Sequence, residues 1–375
     1  MSKLNLKQID MKTLRCPICT CILFAIGLLF ISCGQRFYNK SNNAAIDTLP
    51  REQRVRLLFA GDAMCHYPQI ESARGEDGTI DFRSKFAATK PYFDRADIAI
   101  VNFETTISPD GRYSGYPAFS SPAEYADALH WLGTDVAMLA NNHCCDRGAR
   151  GIHSTIAKLD TLGIAHTGAF HSAEDFSRNE ILRIEHQGVK FAFINYTYGT
   201  NGIPTPKDCK VNRIDTVDIA NALKRATVDS DCVVACMHWG DEYMRQPSFT
   251  QRKLAQFLHR NGVDLVIGSH PHVVQPTVAT DEQITVYSLG NFISNQRRAH
   301  TDGGIMAEIE VVKSIEGKCT YSLNIVPVWV KKPGHILVTP ESAIEEPMTP
   351  AQRQQYELFI QNTNELLSNG LKPKL

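Results

Sequence analysis

The chain of 375 residues lacks an excess of charge of either sign. Lys and Arg together number 39, and Asp and Glu together number 40. Proteins that depend on non-specific nucleic-acid binding carry a broad basic surface, so this balance argues against that class. Hydrophobic residues make up 43% and charged residues 21% of the chain. Both values are near the average of soluble globular proteins, which argues against a disordered chain and against a polytopic membrane protein.

The part of the chain that follows Cys33 also lacks the cysteine spacing of a redox or disulfide-bonded protein. Of its 11 cysteines, seven follow Cys33, and none of these seven forms a Cys-x-x-Cys pair. Cys144 and Cys145 are adjacent. Cys232 and Cys236 are roughly 13 Å apart if their apolar run is a strand, which is beyond the reach of a disulfide. We therefore interpret most of these cysteines as small buried residues, and a thiol or redox function is disfavoured.

The N-terminal segment has the pattern of a secretion signal. Basic residues precede an apolar stretch over 17–31, which is short for a membrane-spanning helix of about 20 residues. The following FISCG resembles a bacterial lipobox, in which Cys33 would be acylated. We predict a lipoprotein signal peptide over 1–33 and a flexible tether over 34–53, with an uncleaved signal anchor as the alternative. Either would hold the body outside the cytoplasm on a membrane, at the periplasmic face or the outer surface.

Residues 54–340 alternate between strand and helix patterns and form the predicted domain. Short runs that are apolar on both faces predict buried strands, at 55–60, 97–102, 135–140, 189–196, 231–237, 264–268 and 284–289. Helix-capping residues such as Ser121 and Ser248 begin amphipathic stretches between them. From 303 onward, alternating strands follow without helices. We predict an α/β fold with a largely two-layered sheet core between helices, and a helical extension over 341–375.

The ends of the predicted strands carry polar side chains of one consistent chemistry. In an open α/β sheet, ligands bind beyond the carboxyl ends of the strands. The polar residues at or just after these ends are Asp62, His66, Asn102, Glu104, Asn142, His143, Asp146, His238, His270, His272 and Asn291. A single residue of this kind is more often a cap or a hydrogen-bonded core residue. Its repetition at successive strand ends favours a shared site.

Seven of these side chains supply nitrogen or oxygen donors, and none of the seven is a thiolate. Four imidazoles, two carboxylates and one amide oxygen favour Mn, Fe or Zn, or a mixed pair. This set exceeds the four ligands of one tetrahedral ion, and it suits two ions about 3.5–4 Å apart that share a bridging carboxylate. We therefore predict a site for two divalent metal ions, with the donors Asp62, His66, Glu104, Asn142, His238, His270 and His272.

The order of these residues resembles the scattered signature of calcineurin-like metallophosphoesterases. More specifically, six motifs resemble those of the CapA family of bacterial capsule, or poly-γ-glutamate, synthesis proteins: GDAMCH, VNFETTIS, NNHCCDRG, HWGDEY, VIGSHPHVVQP and YSLGNFI. The resemblance covers about residues 55–310. It implies a four-layer αββα sandwich of the metallophosphoesterase type.

The resemblance implies how the donors divide between the two ions. One ion would be bound by Asp62, His66 and His272. The other would be bound by Asn142, His238 and His270. Glu104 would bridge the pair, where the superfamily usually has an Asp. The gap between Asp62 and His66 is also wider than the usual Asp-x-His.

The resemblance further implies the residues that act on the substrate. His143 would protonate the leaving group, and Asp146 would orient its ring, because the acidic residue that usually follows this histidine is absent. The predicted substrate-binding residues are Asn102, Arg147 and Asn291.

The expected function is that of a metal-dependent hydrolase or transferase in the cell envelope. Its target would be a phosphoester or a γ-glutamyl or other amide bond of an anionic envelope polymer. The alternative is a non-catalytic scaffold that assembles or anchors the capsule polymer and retains the fold. The expected partners are this polymer, the membrane through the N-terminal lipid, and other capsule-synthesis proteins, with no nucleic acid.

Overall fold

The computed structural model describes residues 51–370. The predicted signal peptide over 1–33, the lipidation site Cys33 and most of the predicted tether lie outside these residues and remain predictions. Over the described range, no helix has both the length and the apolar character needed to cross a membrane.

The chain from Gln53 to Ser368 alternates between strands and helices, as the sequence predicts. The strands are β1 (Gln53–Ala63), β2 (Ile98–Phe103), β3 (Val136–Met138), β4 (Ala165–Thr167), β5 (Ala169–Phe170), β6 (Leu182–His186), β7 (Val189–Thr197), β8 (Lys210–Val211), β9 (Cys232–His238), β10 (Leu265–Ser269), β11 (Thr277–Ala279), β12 (Ile284–Val286), β13 (Asn291–Ile293), β14 (Gly303–Lys313), β15 (Cys319–Lys331) and β16 (Ile336–Val338). The α-helices are α1 (Tyr67–Ser72), α2 (Arg83–Phe86), α3 (Lys90–Arg95), α4 (Ala123–Leu132), α5 (Gly148–Leu162), α6 (Ala173–Asn179), α7 (Thr216–Ala226), α8 (Phe249–Arg260) and α9 (Pro350–Ser368). Short 3-10 helices cover Ala87–Thr89 and Ser342–Ile344.

These strands form two large sheets and one small two-stranded sheet. The first sheet has the order β16-β15-β14-β1-β2-β3-β4, and β13 pairs with the end of β1. Strands β1 to β4 run parallel, whereas β14, β15 and β16 join them in antiparallel register. The second sheet has the order β11-β12-β10-β9-β7-β6, with β7, β9, β10 and β12 parallel. Strands β5 and β8 form a separate pair.

The core lies between the two sheets and on both of their outer faces. Phe59 and Ile100 of the first sheet pack with Phe193 and Ile267 of the second in one buried cluster. The opposite face of the first sheet packs against α4 and α5, and the opposite face of the second packs against α7 and α8. Because strand side chains alternate between faces, a strand covered on both sides must be apolar throughout. The architecture is therefore a four-layer αββα sandwich, and the predicted fold class is confirmed.

The C-terminal helix α9 packs on the outer part of the first sheet. Its Tyr356 and Phe359 contact Trp329 of β15 in a small buried cluster. Thr349 caps the helix by accepting a hydrogen bond from the backbone N–H of Gln352, and Pro350 occupies its first turn, as is common at helix N-termini.

Truncation of one ring between the sheets should weaken the fold strongly. Phe193→Ala removes a side chain with no exposed surface, and we expect the free energy of unfolding to fall by about 3–5 kcal/mol because a cavity remains. Urea denaturation measures this change. Val217→Ala in α7 is the control, because Val217 is 66% exposed and its loss should cost less than about 0.5 kcal/mol. Equal losses in the two variants would contradict the proposed packing.

Candidate metal centre

The carboxyl ends of strands from both sheets meet and place polar side chains together. Asp62 lies near the end of β1, and Asn102 lies near the end of β2. Glu104 is the first residue after β2. The pairing of β1 with β2 shifts register between Ala60 and Asp62, which re-aims the strand end. Gly61 is needed there, because a Cβ at this position would lie 2.1 Å from the Gly290 carbonyl oxygen. The local bend therefore depends on a glycine.

Two groups of candidate ligands lie at these strand ends within residues 51–370. One group is Asp62, Glu104 and His238, and the other is Glu242, His270 and His272. Within each group the possible ligand atoms all lie within 4.8 Å of one another. This convergence is the spatial arrangement on which the sequence-based prediction of a metal site depends.

Glu104 carries a buried oxygen that faces two histidine rings. Its Oε1 lies 3.8 Å from His238 Nε2 and 3.8 Å from His272 Nε2. This oxygen is buried and has no hydrogen-bond partner in the described part of the chain. A buried carboxylate oxygen without a partner is costly, and a cation between it and the two imidazoles would remove that cost. The residues present therefore fit a divalent metal site.

Asp62 and Asn291 fix the ring of His272. The ring Nδ1 lies 3.0 Å from Asp62 Oδ2 and 3.1 Å from Asn291 Oδ1. The amide group of Asn291 is itself oriented, because its Nδ2 donates to Gln296 Oε1 and to the Thr301 carbonyl. With two acceptors facing Nδ1, the proton lies on that nitrogen and Nε2 presents its lone pair to Glu104. Nε2 is therefore the candidate ligand atom.

Asn142 and Asn102 contact the ring of His238. Asn142 Oδ1 lies 2.9 Å from His238 Nε2, and Asn142 Nδ2 donates to Asn201 Oδ1. Asn102 Nδ2 donates to Asp62 Oδ1 at 2.7 Å and lies 3.4 Å from His238 Nδ1. An imidazole nitrogen and an amide oxygen therefore meet at one point beside Glu104, as two ligands of one ion would.

Burial shifts the pKa values of the histidines and of Glu104 in this centre. Burial, followed by the charges of neighbouring histidines, lowers the pKa of His238 well below its usual range and that of His270 to about 3. Both rings are therefore neutral ligands at neutral pH. Burial, followed by the charge of Asp62, raises the pKa of Glu104 well above its usual range. A bound cation would favour the ionised carboxylate.

The second ligand group lies on a strained backbone. His270 and His272 have φ angles of 98° and 58°, and Tyr243 has 68°, values that side-chain-bearing residues adopt rarely and at a cost. His270 Nδ1 is buried and without a hydrogen-bond partner among residues 51–370. Glu242 is exposed beside these rings. Its carboxylate was absent from the predicted ligands, although the HWGDEY motif contains it.

His143 and Asp146 form a closely packed pair next to these groups. His143 Nδ1 lies 2.8 Å from Asp146 Oδ2, and both side chains are almost fully buried. Asp146 Oδ2 also accepts the backbone N–H of Phe119, whose ring packs edge-on against His143 at 4.6 Å. Since a carboxylate only accepts, Nδ1 carries a proton and Nε2 is left free. The structure thus shows the contact that the sequence predicted for Asp146.

Three other predicted site residues have hydrogen-bond partners that the sequence did not predict. His66 lies outside both ligand groups, with Nδ1 3.0 Å from Gln69 Oε1. Arg147 donates to the carbonyls of Ala118 and Phe119, so it holds the loop that supports His143. Asn291 is fully buried behind His272.

Aromatic rings that the sequence analysis did not assign surround the centre. The Tyr198 ring lies 4.4 Å from that of His270, and the Tyr243 ring lies 6.2 Å from that of His272. Tyr116 is 72% exposed and lies 6.4 Å from the ring of His143. Tyr198 directly follows β7, so its position after a buried strand is the signal that could have identified it.

Comparison with known proteins identifies clear relatives. A family model described as bacterial capsule synthesis protein PGA_cap matches residues 56–296. The chain is 26% identical to the PGA biosynthesis protein CapA of Bacillus subtilis, over 79% of this chain and 77% of that protein. It is 27% identical to the capsule biosynthesis protein CapA of Bacillus anthracis, over 75% of this chain and 68% of that protein. A solved structure described as a novel phosphatase from Mycoplasma pneumoniae is 12% identical, covers 79% of this chain and 98% of that chain, and superposes with a TM-score of 0.46.

Proposed function

Because this chain belongs to the bacterial capsule synthesis protein PGA_cap family, we propose that it is an envelope-anchored, metal-dependent hydrolase or transferase. Its target is a phosphoester or a γ-glutamyl or other amide bond of a cell-envelope polymer. The names of the two Bacillus relatives, which refer to PGA and to capsule biosynthesis, support the choice of polymer. The lipid on Cys33 would anchor the chain at the periplasmic face or the outer surface.

One observation carries the proposal of a two-metal centre. The partnerless Glu104 Oε1 lies equally far from the Nε2 atoms of His238 and His272. From this position Glu104, together with His238 and His272, would help to hold two divalent ions. One ion would be held by Asn142, His238 and His270, because the two histidine rings lie 4.8 Å apart and Asn142 contacts His238. The other would be held by Asp62 and His272, which lie 3.0 Å apart, with Glu242 close enough to His272 to assist. His66 would complete the second set only through its Nε2, since its Nδ1 is bonded to Gln69.

The bound metal and the side chains around it would then have separate roles in the reaction. Bound Mn, Fe or Zn would supply Lewis-acid activation of the scissile group and of a water molecule. In its doubly protonated imidazolium form, with one proton held on Nδ1 by Asp146, His143 would give the other proton from Nε2 to the leaving group and become neutral. Asn102 and Asn291 would keep Asp62 and His272 in place rather than contact the substrate. Arg147 would keep Phe119 against His143.

Removal of the metal should abolish turnover and its return should restore it. We expect the purified full-length chain with added Mn or Zn to cleave bis-p-nitrophenyl phosphate or a γ-glutamyl peptide. Dialysis against EDTA should lower the rate by at least about 100-fold, the effect of losing several kcal/mol of transition-state stabilisation. Elemental analysis of the same samples gives the metal content. Bound metal without turnover on either substrate would favour the non-catalytic scaffold.

A further inference from the structure

Two arginines lie next to the candidate metal centre, in the loop that follows β13. The guanidinium carbon of Arg298 lies 4.3 Å from the centre of the Tyr243 ring, and this ring contacts His272. Arg297 precedes it, and both arginines are exposed. A stacked guanidinium has its face covered by the ring while its N–H groups remain free at the edge. The stacking therefore holds the Arg298 guanidinium beside the metal centre and does not use its N–H donors.

Lys332, in the turn between β15 and β16, places a third positive charge next to this loop. Its Nζ donates to the Gln296 carbonyl, and its own carbonyl accepts a hydrogen bond from Gln352 Nε2 of α9. Gln296 also accepts from Asn291, which holds His272. The ammonium group is therefore positioned by the same loop that supports the metal centre, and two of its three N–H donors are not used by Gln296.

Within residues 51–370, none of these three cations forms an ion pair with an Asp or a Glu. Asp302 acts on Lys332 only at longer range, and its Oδ2 accepts the indole N–H of Trp329. Burial, followed by the charge of Arg297, lowers the pKa of Lys332 to about 8 against the opposing effect of Asp302. A half-buried cation without a counter-ion would be stabilised by a bound anion.

We propose that Arg298, Arg297 and Lys332 form a carboxylate-binding track, which holds successive carboxylates of a polyanionic chain beside the metal centre. The proposal rests on the proposed function, since it assigns the position of the polymer that this function requires. Arg298 would bind the carboxylate nearest the reacting bond through paired N–H donors. The exposed rings of Tyr198 and Tyr116 would contact the aliphatic segments between carboxylates.

Binding of a short carboxylate polymer to the metal-free protein tests the track without any turnover. The full-length chain, dialysed against EDTA, is titrated with linear penta-γ-glutamate by calorimetry at two salt concentrations. The triple variant Arg297→Gln, Arg298→Gln, Lys332→Met should bind at least about tenfold more weakly, because charge-assisted hydrogen bonds are lost. Its affinity should also depend less on salt. Lys332→Arg alone keeps the charge and should bind within about twofold of the wild type.

A matched triple variant separates the track from a general effect of charge. Arg178→Gln, Arg260→Gln, Lys318→Met removes the same charge from exposed positions elsewhere and should bind like the wild type. Melting temperatures of all variants show whether each is folded. The track is refuted if the two triple variants bind equally, if the wild type does not bind penta-γ-glutamate, or if it binds tripolyphosphate instead. Because no metal or turnover is involved, failure of the hydrolase proposal would leave this result unchanged.

Discussion

His143→Ala should lower the turnover number by about 10²–10⁴-fold, the usual contribution of a positioned proton donor. The structure supports this role because Asp146 holds Nδ1 at 2.8 Å and Phe119 packs against the ring. These contacts leave Nε2 as the only nitrogen able to reach a leaving group. Steady-state kinetics with the metal-loaded enzyme measures the change. Elemental analysis should show unchanged metal content, since His143 is not among the candidate ligands.

Two further variants show whether the loss of turnover depends on the contact between His143 and Asp146. Asp146→Asn keeps the shape of the side chain but weakens control of the ring, and it should cost about 10–100-fold. His130→Ala on the exposed surface of α4 should leave the rate unchanged. If His143→Ala turned over as fast as the wild type, the proton would have to come from another group and the proposed mechanism would be wrong.

Glu104→Gln should remove most of the bound metal while leaving the metal-free protein at least as stable as the wild type. The carboxylate is fully buried next to Asp62, and burial and the Asp62 charge make its ionised form unfavourable. The neutral amide avoids that cost, but it is a poor bridging ligand. We therefore expect metal content to fall from about two equivalents to below one.

Thermal unfolding with and without metal gives the second readout of Glu104→Gln. At a free metal concentration of 100 times Kd, the wild type should gain about 2.7 kcal/mol of stability, and the variant should gain much less. Glu316→Gln makes the same chemical change in an exposed turn and should behave like the wild type in both measurements. A variant that still bound two ions would show that Glu104 does not bridge them.

Much of the candidate site could be predicted from the sequence, because the end of a strand can be located from the short apolar run that forms it. The strands that end near Asp62, Asn102 and His238 were predicted from apolar runs, and the structure places these residues together. The contact of Asp146 with His143 was predicted from the family resemblance, and the structure shows it. The roles of these residues remain predictions, because contacts show which atoms meet and not what they do to a substrate.

Other parts of the site could not be predicted because they depend on loop conformation. Glu242 reaches His270 and His272 only because all three lie in loops with unusual backbone, where His270 has a φ of 98°. The hydrogen-bond contact between His66 Nδ1 and Gln69 of the adjoining helix was likewise not predicted. Such contacts depend on side-chain geometry that residue spacing does not specify.

The sequence by itself determined the alternation of strands and helices, the burial of the strands on both faces and the set of polar residues at their ends. These features depend on the hydrophobic period and capping of short segments, which interact mainly with their neighbours in the chain. Only the tertiary structure decided which strand ends face one another. The backbone N–H of His270 donates a hydrogen bond to Asp62, which is 208 residues away in the sequence. This contact depends on how the two sheets pack, because their buried inner faces fix the relative positions of the strand ends.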